Sequence, residues 1–476
     1  MLQTSPIPEY LRPFIATQNA DLYSAMDHAA WRFILKISRT FFKGAAHQKY
    51  LDGLAETGIS PERIPLIEDM DRCLSRFGWR AVAVNGFIPP AVFMEFQSLG
   101  ILPIACEMRT LDHLAYTPAP DIVHEAAGHA PIIADPEYAS YLRQYGEVSR
   151  KAIFSSEDYD LFEAIRTLSI VKEDPASSPE QIERAEKDLE KASNAISYIS
   201  EAAELARMNW WTVEYGLIGS VEDPKIYGAG LLSSVGESYH CLSPHVIKHP
   251  LTLECIKASY DITRPQPQLF VTESFQKLTD LVLEYAETMA FKRGGEQAVA
   301  KALQAKSVTT VVLDTGLQVS GVLTEAPFKD SALQFFKFSG PVQLSYQDHE
   351  LPDQGPENHA QGFSSPLGLL RNGQKLSALS DEEIHALNGK LSYESGYDLQ
   401  GTLRSITRQD GKLLLLTFEK CTVTHHGKMV YDPAWGRFDL AVGEQAVSVF
   451  GGAADRRVYL EKTGGLKPLR LTPKTN

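Results

Sequence analysis

Disulfide bonding has little to work with in this sequence. Its five cysteines, Cys73, Cys106, Cys241, Cys255 and Cys421, are scattered, odd in number and without paired spacing. They read as reduced thiols of a cytoplasmic protein. No apolar run reaches the length of about 18 residues that a transmembrane helix needs, so no membrane partner is expected. The opening Met1-Leu2-Gln3-Thr4-Ser5-Pro6 lacks the basic start and the apolar core of a secretory signal. Positive charge is also in deficit. A net charge of −14 favours solubility and argues against a nucleic-acid partner. What remains is ordinary: 43% hydrophobic and 22% charged residues place the chain among globular proteins, and 476 residues suffice for two or three domains.

The sequence is organised around Pro120-Asp121-Ile122-Val123-His124-Glu125-Ala126-Ala127-Gly128-His129. Two histidines with an acid beside the first suggest the H-E-x-x-H helix of zinc peptidases. That motif separates its histidines by four positions, which puts them on one helical face. Here the separation is five, and on a regular helix the rings diverge. Both reach one metal if the helix carries a π-type turn or if His124 sits at a frayed start. Two unrelated histidines on a helix would give the same pattern. The second feature is Trp210-Trp211-Thr212-Val213-Glu214-Tyr215-Gly216-Leu217, where Glu214 stands in an apolar, aromatic run. A carboxylate buried there needs a cation or a proton. No basic residue lies within four positions of Glu214, although a distant ion pair stays open. Two histidines and one carboxylate, with other positions left to water, are the ligand set of non-haem Fe(II) oxygenases.

Three blocks in order, Pro120 to Pro131, Trp210 to Leu217 and Tyr227-Gly228-Ala229-Gly230-Leu231-Leu232-Ser233-Ser234-Val235-Gly236-Glu237, resemble the pterin-dependent aromatic amino acid hydroxylases, most of all phenylalanine hydroxylase. The likeness runs from about residue 50 to about residue 290. It implies a mainly α catalytic domain in which His124, His129 and Glu214 hold Fe(II), with Glu125 beside the metal and near the pterin. It further implies that Gly86, Phe87 and Ile88 cradle a tetrahydropterin through the main chain. Phe93 then stacks on the ring, with Met94 next to it. Taken from spacing alone, Phe93 is a core residue. Pro90 stands where animal members carry a serine, which removes one pterin hydrogen bond. By the same resemblance, Arg109 grips the substrate carboxylate. Thr117, Pro120, Trp210, Tyr215, Gly230 and Ser233 line the amino-acid pocket, and Val271 touches it.

The periodicity predicts an N-terminal arm over residues 1–20 and a catalytic domain over 21–304. Helices are expected over Asp21–Lys43, from Gln48, from Ser60-Pro61-Glu62-Arg63 and from Ile67. Strands are expected over Trp79–Val84 and Ile101–Met108. A helical-hairpin insertion is expected at about 155–205. Ser178-Pro179-Glu180-Gln181 caps its second helix, and a heptad seam from Ile182 to Ala206 predicts one long helix running into Glu214. From residue 305 to 476 short alternating segments predict a β-rich domain of unknown role, barrel or sandwich, with Ser380 to Leu387 as its one helix. His425 and His426 read as hairpin residues. The insertion and the β-rich domain are the two candidate surfaces for self-association.

The implied reaction is hydroxylation of a free aromatic L-amino acid, phenylalanine to tyrosine, with O₂ and a tetrahydropterin. Tyrosine or tryptophan hydroxylation within the same family is the alternative. Two readings from other classes are a zinc peptidase, against which the five-residue histidine spacing speaks, and a non-catalytic regulatory protein on this scaffold.

Overall fold

Trp31, Ile34, Leu35, Ser38 and Phe42 recur at helical spacing and lie buried along one face of α1 (Ala25–Ala45). Ser24 starts this helix with a capping box to Asp27. The coordinates are a computed structural model that describes residues 6–86, 88–111, 114, 120–173, 176–262 and 264–463. Phe87 and Thr117, both expected at the site, lie outside the described residues.

The described chain divides into two compact units. One comprises the residues up to Arg150 together with Glu157–Ala286; the other comprises Lys151–Ser156 and Glu287–Gly465. The first is mainly helical. After α1 come α2 (Gln48–Glu56) and α3 (Ile67–Leu74). The helix start expected at Ser60 is instead a turn. α1 side chains claim its backbone: Trp31 Nε1 donates to the Ser60 carbonyl at 2.8 Å, and the Ile64 amide donates to His28 Nδ1 at 3.3 Å.

β1 (Arg80–Val84) and β2 (Ile101–Ala105) pair in parallel, joined by α4 (Pro90–Ser98). In such a unit ligands gather at the carboxyl ends of the strands. The Asn85–Pro89 loop leaves β1 at that end, and Arg109 follows β2 there. The N-terminal arm packs onto this unit: Leu11 and Phe14 share a core with Val82, Val84, Val92, Phe96 and Ile101.

α5 (Pro136–Ser149), α6 (Ser156–Glu173), α7 (Pro179–Ala195) and α8 (Glu201–Asn209) follow. The Ser178 capping box with Gln181 forms as expected. The single long helix does not. The chain turns extended at Ile196, and Ser200 caps α8 anew by accepting the Ala203 amide. Ser197 is drawn off by Glu157, which accepts both its amide and its hydroxyl.

β3 (Leu217–Gly219), β4 (Pro224–Ile226), β5 (Ile247–Pro250) and β6 (Gln268–Thr272) make a four-stranded sheet in the order β4-β3-β6-β5. Between β4 and β5 lie the short helices α9 (Ala229–Ser233) and α10 (Val235–His240), and α11 (Phe275–Ala286) follows β6.

The second unit is rich in β-structure. Every pairing in its two main sheets is antiparallel: one runs across Phe335–Tyr346, Leu317–Glu325, Val308–Leu313 and Ala446–Gly451, the other across Tyr397–Gln409 and Lys412–His425. Phe336, Phe338 and Val319 of the first sheet share a core with Leu414, Leu415 and Ala441 of the second. Ala298, Val299, Ala302 and Ala305 of the helix Gly295–Ala305 join that core. Asp381–Ala386 is helical as expected, but Arg456–Thr463 adds a helix that the sequence reading lacked.

α2 meets the Pro131–Ala134 segment at Gly53, where a Cβ would overlap the Pro131 carbonyl oxygen. Gly53→Ala should therefore destabilise the first unit by about 1–3 kcal/mol through overpacking. A urea titration would show this as a lowered midpoint; an unchanged midpoint would mean that the helix has room to move.

Candidate metal centre

Val123–His129 is a π-helical segment, and so is Trp210–Glu214, where the Tyr215 amide donates to the Trp210 carbonyl at 2.8 Å. A π-turn bonds residue i+5 to residue i. It therefore brings His124 and His129 to one side, the first of the two arrangements that their spacing allowed. Gly128 allows the segment to pack closely: a Cβ there would lie 2.8 Å from the Ala229 carbonyl oxygen of α9.

The two imidazole nitrogens and the carboxylate stand at the corners of a triangle, with a different carboxylate oxygen facing each nitrogen. His124 Nε2 and His129 Nε2 are 3.1 Å apart, and Glu214 places Oε2 at 3.3 Å from the first and Oε1 at 3.4 Å from the second. Metal–nitrogen bonds of about 2.1 Å separate their donors by about 3.0 Å at a right angle and about 3.4 Å at a tetrahedral angle. The triangle fits a cation bound on one face.

His124 is fixed for this task. Ser233 donates its hydroxyl to the Ala229 carbonyl at 2.8 Å, so its oxygen accepts from His124 Nδ1–H at 3.0 Å. That leaves the Nε2 lone pair facing the triangle. Burial opposes the charged form of Glu214, yet His129 and His124 beside it hold its carboxyl well below the usual range. A metal cation would supply the same field.

Glu125, 6% exposed, points elsewhere. Its Oε2 stands 3.9 Å from His129 Nε2 and has no hydrogen-bond partner. Burial, with Glu214 and Asp121 adding to it against the pull of His129, pushes its carboxyl up to about 8. It is therefore a buried carboxyl with an unused oxygen beside the triangle.

Asp121, which the sequence reading passed over, ties this centre to Arg109. Its carboxylate accepts from Arg109 Nε and Nη2, both at 2.8 Å, from the Arg109 amide at 3.0 Å and from the His124 amide at 3.0 Å. Burial works against Asp121, but the guanidinium and these amides hold its carboxyl below the usual range. Arg109 Nη1 donates to the Ser233 carbonyl at 3.0 Å. Of the five guanidinium donors, one hydrogen on each terminal nitrogen is left over. The only early signal for Asp121 was an acid at the start of a helix.

Trp210 stacks on Tyr215, with ring centroids 4.5 Å apart, and Gly230 faces both the Tyr215 ring and the Glu214 carbonyl. Gly86, Ile88, Phe93 and Met94 form a separate group around the β1–α4 loop. Phe93 and Met94 are half-buried, whereas Val92 and Phe96 on either side of them are core residues. Spacing alone had put Phe93 in the core. Glu107 links this group to the centre: its Oε1 accepts the Gly86 amide at 3.0 Å and its carbonyl accepts the Ile122 amide at 2.8 Å. Pro120 begins the segment that leads to His124 and is half-buried. Val271 is a buried residue of β6.

Residues 19–159 and 186–305 match the model of the biopterin-dependent aromatic amino acid hydroxylase family. The phenylalanine-4-hydroxylase of Chromobacterium violaceum is 30% identical over 271 residues, 56% of this chain and 76% of the relative. That of Pseudomonas aeruginosa is 29% identical over 264 residues, 55% of this chain and 84% of the relative. A crystal structure of the Chromobacterium violaceum enzyme with iron(III) and 7,8-dihydrobiopterin shows 26% identity, covering 60% of this chain and 93% of that one, with a TM-score of 0.45. With the family matched over more than half its length, this chain belongs to the biopterin-dependent aromatic amino acid hydroxylases.

Proposed function

We propose that this protein hydroxylates free L-phenylalanine to tyrosine, using Fe(II), a tetrahydropterin and O₂. The observation that carries the reading is the triangle of His124 Nε2, His129 Nε2 and Glu214 carboxylate oxygens in a member of this family. The naming of its relatives as phenylalanine-4-hydroxylases supports phenylalanine as the substrate.

His124, His129 and Glu214 would hold Fe(II). When bound, iron and pterin together supply the activation of O₂, one oxygen atom going to the pterin and the other to the aromatic ring. The protein's part is placement and exclusion of water. Gly86, Phe87 and Ile88 seat the pterin, and Phe93, with Met94 beside it, offers a ring for stacking. Glu125, with an unpartnered oxygen, hydrogen-bonds toward the pterin directly or through water. The remaining hydrogens of Arg109 take the substrate carboxylate as a two-pronged pair. Asp121 holds the guanidinium flat for that purpose. Trp210, Thr117, Pro120, Tyr215, Gly230 and Ser233 bound the amino-acid pocket.

α6 and the start of α7 are read as a helical-hairpin insertion. The family match breaks between residues 159 and 186, and Lys172 pairs with Glu186 at 2.9 Å. This hairpin or the β-rich unit would serve any self-association. No described helix is long and apolar enough to cross a membrane.

Glu214→Ala should lose iron and turnover together, measured by metal analysis alongside pterin-dependent tyrosine formation. Full iron content with full activity would be incompatible with the assignment. Arg109→Lys keeps the charge but not the planar fork. It should raise KM for phenylalanine by about tenfold or more, the factor for a lost charge-assisted hydrogen bond. An unchanged KM would remove Arg109 from substrate binding.

A further inference from the structure

Trp210 is sandwiched. Tyr215 lies 4.5 Å from it at an interplanar angle of 24°, and Tyr260 lies 4.3 Å from it at 9°. Two rings at these distances cannot share one face, so both faces of the indole are covered. Only its edge remains for a ligand, together with Nε1, which is buried and without a hydrogen-bond partner.

Tyr260 does not come from the same element as its partner. It stands in the loop between β5 and β6, and that loop is moored to α8 and the second π-segment. Trp211 Nε1 donates to the Ala258 carbonyl at 2.9 Å, and Arg207 Nη1 donates to the Ile256 carbonyl at 3.2 Å. The Trp211 indole also meets the Tyr260 ring edge-on, with centroids 6.3 Å apart at 89°. Tyr260 is thus held from two sides against Trp210, four residues before Glu214.

We propose that Tyr260 is a specificity-determining positioning residue: by clamping Trp210 against Tyr215 it fixes the pocket wall edge-on, so that the site takes a single six-membered ring and excludes the larger indole. This rests on the reading above, in which Trp210 bounds the aromatic pocket. Edge-to-face contact is a favoured geometry between aromatic rings, and the substrate phenyl group can meet the Trp210 edge in that way. A two-ring substrate has to push the wall aside, and the wall yields only if Trp210 slides out from between two stacked tyrosines. The discrimination comes from the stack and not from any contact between Tyr260 and the substrate.

The test compares the iron-loaded wild-type protein with Tyr260→Leu and Tyr260→Phe. kcat/KM is measured for phenylalanine and tryptophan with tetrahydrobiopterin. Tyr260→Leu should lower the phenylalanine-to-tryptophan ratio by about tenfold, the factor that one aromatic pair supplies. Tyr260→Phe should restore the ratio. Iron content and KM for the pterin should stay as in the wild type, and the near-ultraviolet circular dichroism of the stacked rings should be lost in Tyr260→Leu alone. If Tyr260→Leu fails to fold, Trp211→Phe removes the bond to the Ala258 carbonyl while keeping Tyr260, and should shift the ratio in the same direction. An unchanged ratio in a folded variant that still makes tyrosine overturns this proposal and leaves the hydroxylase reading intact. Absence of tyrosine formation in the wild-type protein overturns the hydroxylase reading itself.

Discussion

Three lone-pair donors pointing at one another repel. The two imidazole nitrogens and the Glu214 carboxylate sit little more than 3 Å apart in a largely buried setting, where such an arrangement costs several kcal/mol unless a cation or proton lies between them. The surrounding structure can be understood as the means of enforcing that proximity. Two π-segments, rare in proteins and concentrated at functional sites, deliver all three side chains. The bare backbone of Gly128 lets α9 come close enough for Ser233 to fix the His124 tautomer. Much of the first unit's local irregularity is thereby concentrated where the donors meet.

Arg109 and Asp121 extend the same logic outward. A fully buried ion pair contributes little net stability, because desolvation offsets its attraction. Its value lies in geometry. The Asp121 carboxylate binds the Arg109 guanidinium and also the amide of the first histidine, so arginine and histidine are set on one rigid piece. Glu107 does the equivalent for the Gly86 loop, reaching the Ile122 amide through its own carbonyl. The Gly86 loop, Arg109 and the His124 segment are therefore coupled through two carboxylate-bearing residues.

The residue types of the donor set were legible in the sequence, and so was the need for a distortion, a π-type turn or a frayed start, because a five-residue spacing on an ordinary helix cannot converge. The β-rich character of the second unit could be read from alternation, although its strand Lys412–His425 is carried through a positive φ at Lys420 that interrupts the pattern. The break between α7 and α8 was missed because the apolar period of three and four continues across it. What ends α7 is capping by Ser200 and the capture of Ser197 by Glu157, a long-range partner that no local window contains. Asp121, Glu107 and Tyr260 were missed for a related reason. Each acts by holding a residue far away in the chain, and only coordinates reveal which one.

One consequence concerns biosynthesis. Lys151–Ser156 belongs to the β-rich unit: the Lys151 carbonyl accepts the Gly451 amide, and the Phe154 carbonyl accepts the Ser307 hydroxyl. On the ribosome this short segment emerges long before either partner has been translated. Its carbonyls must stay hydrated in the interim, and the nascent polypeptide cannot assemble its two bodies strictly one after the other.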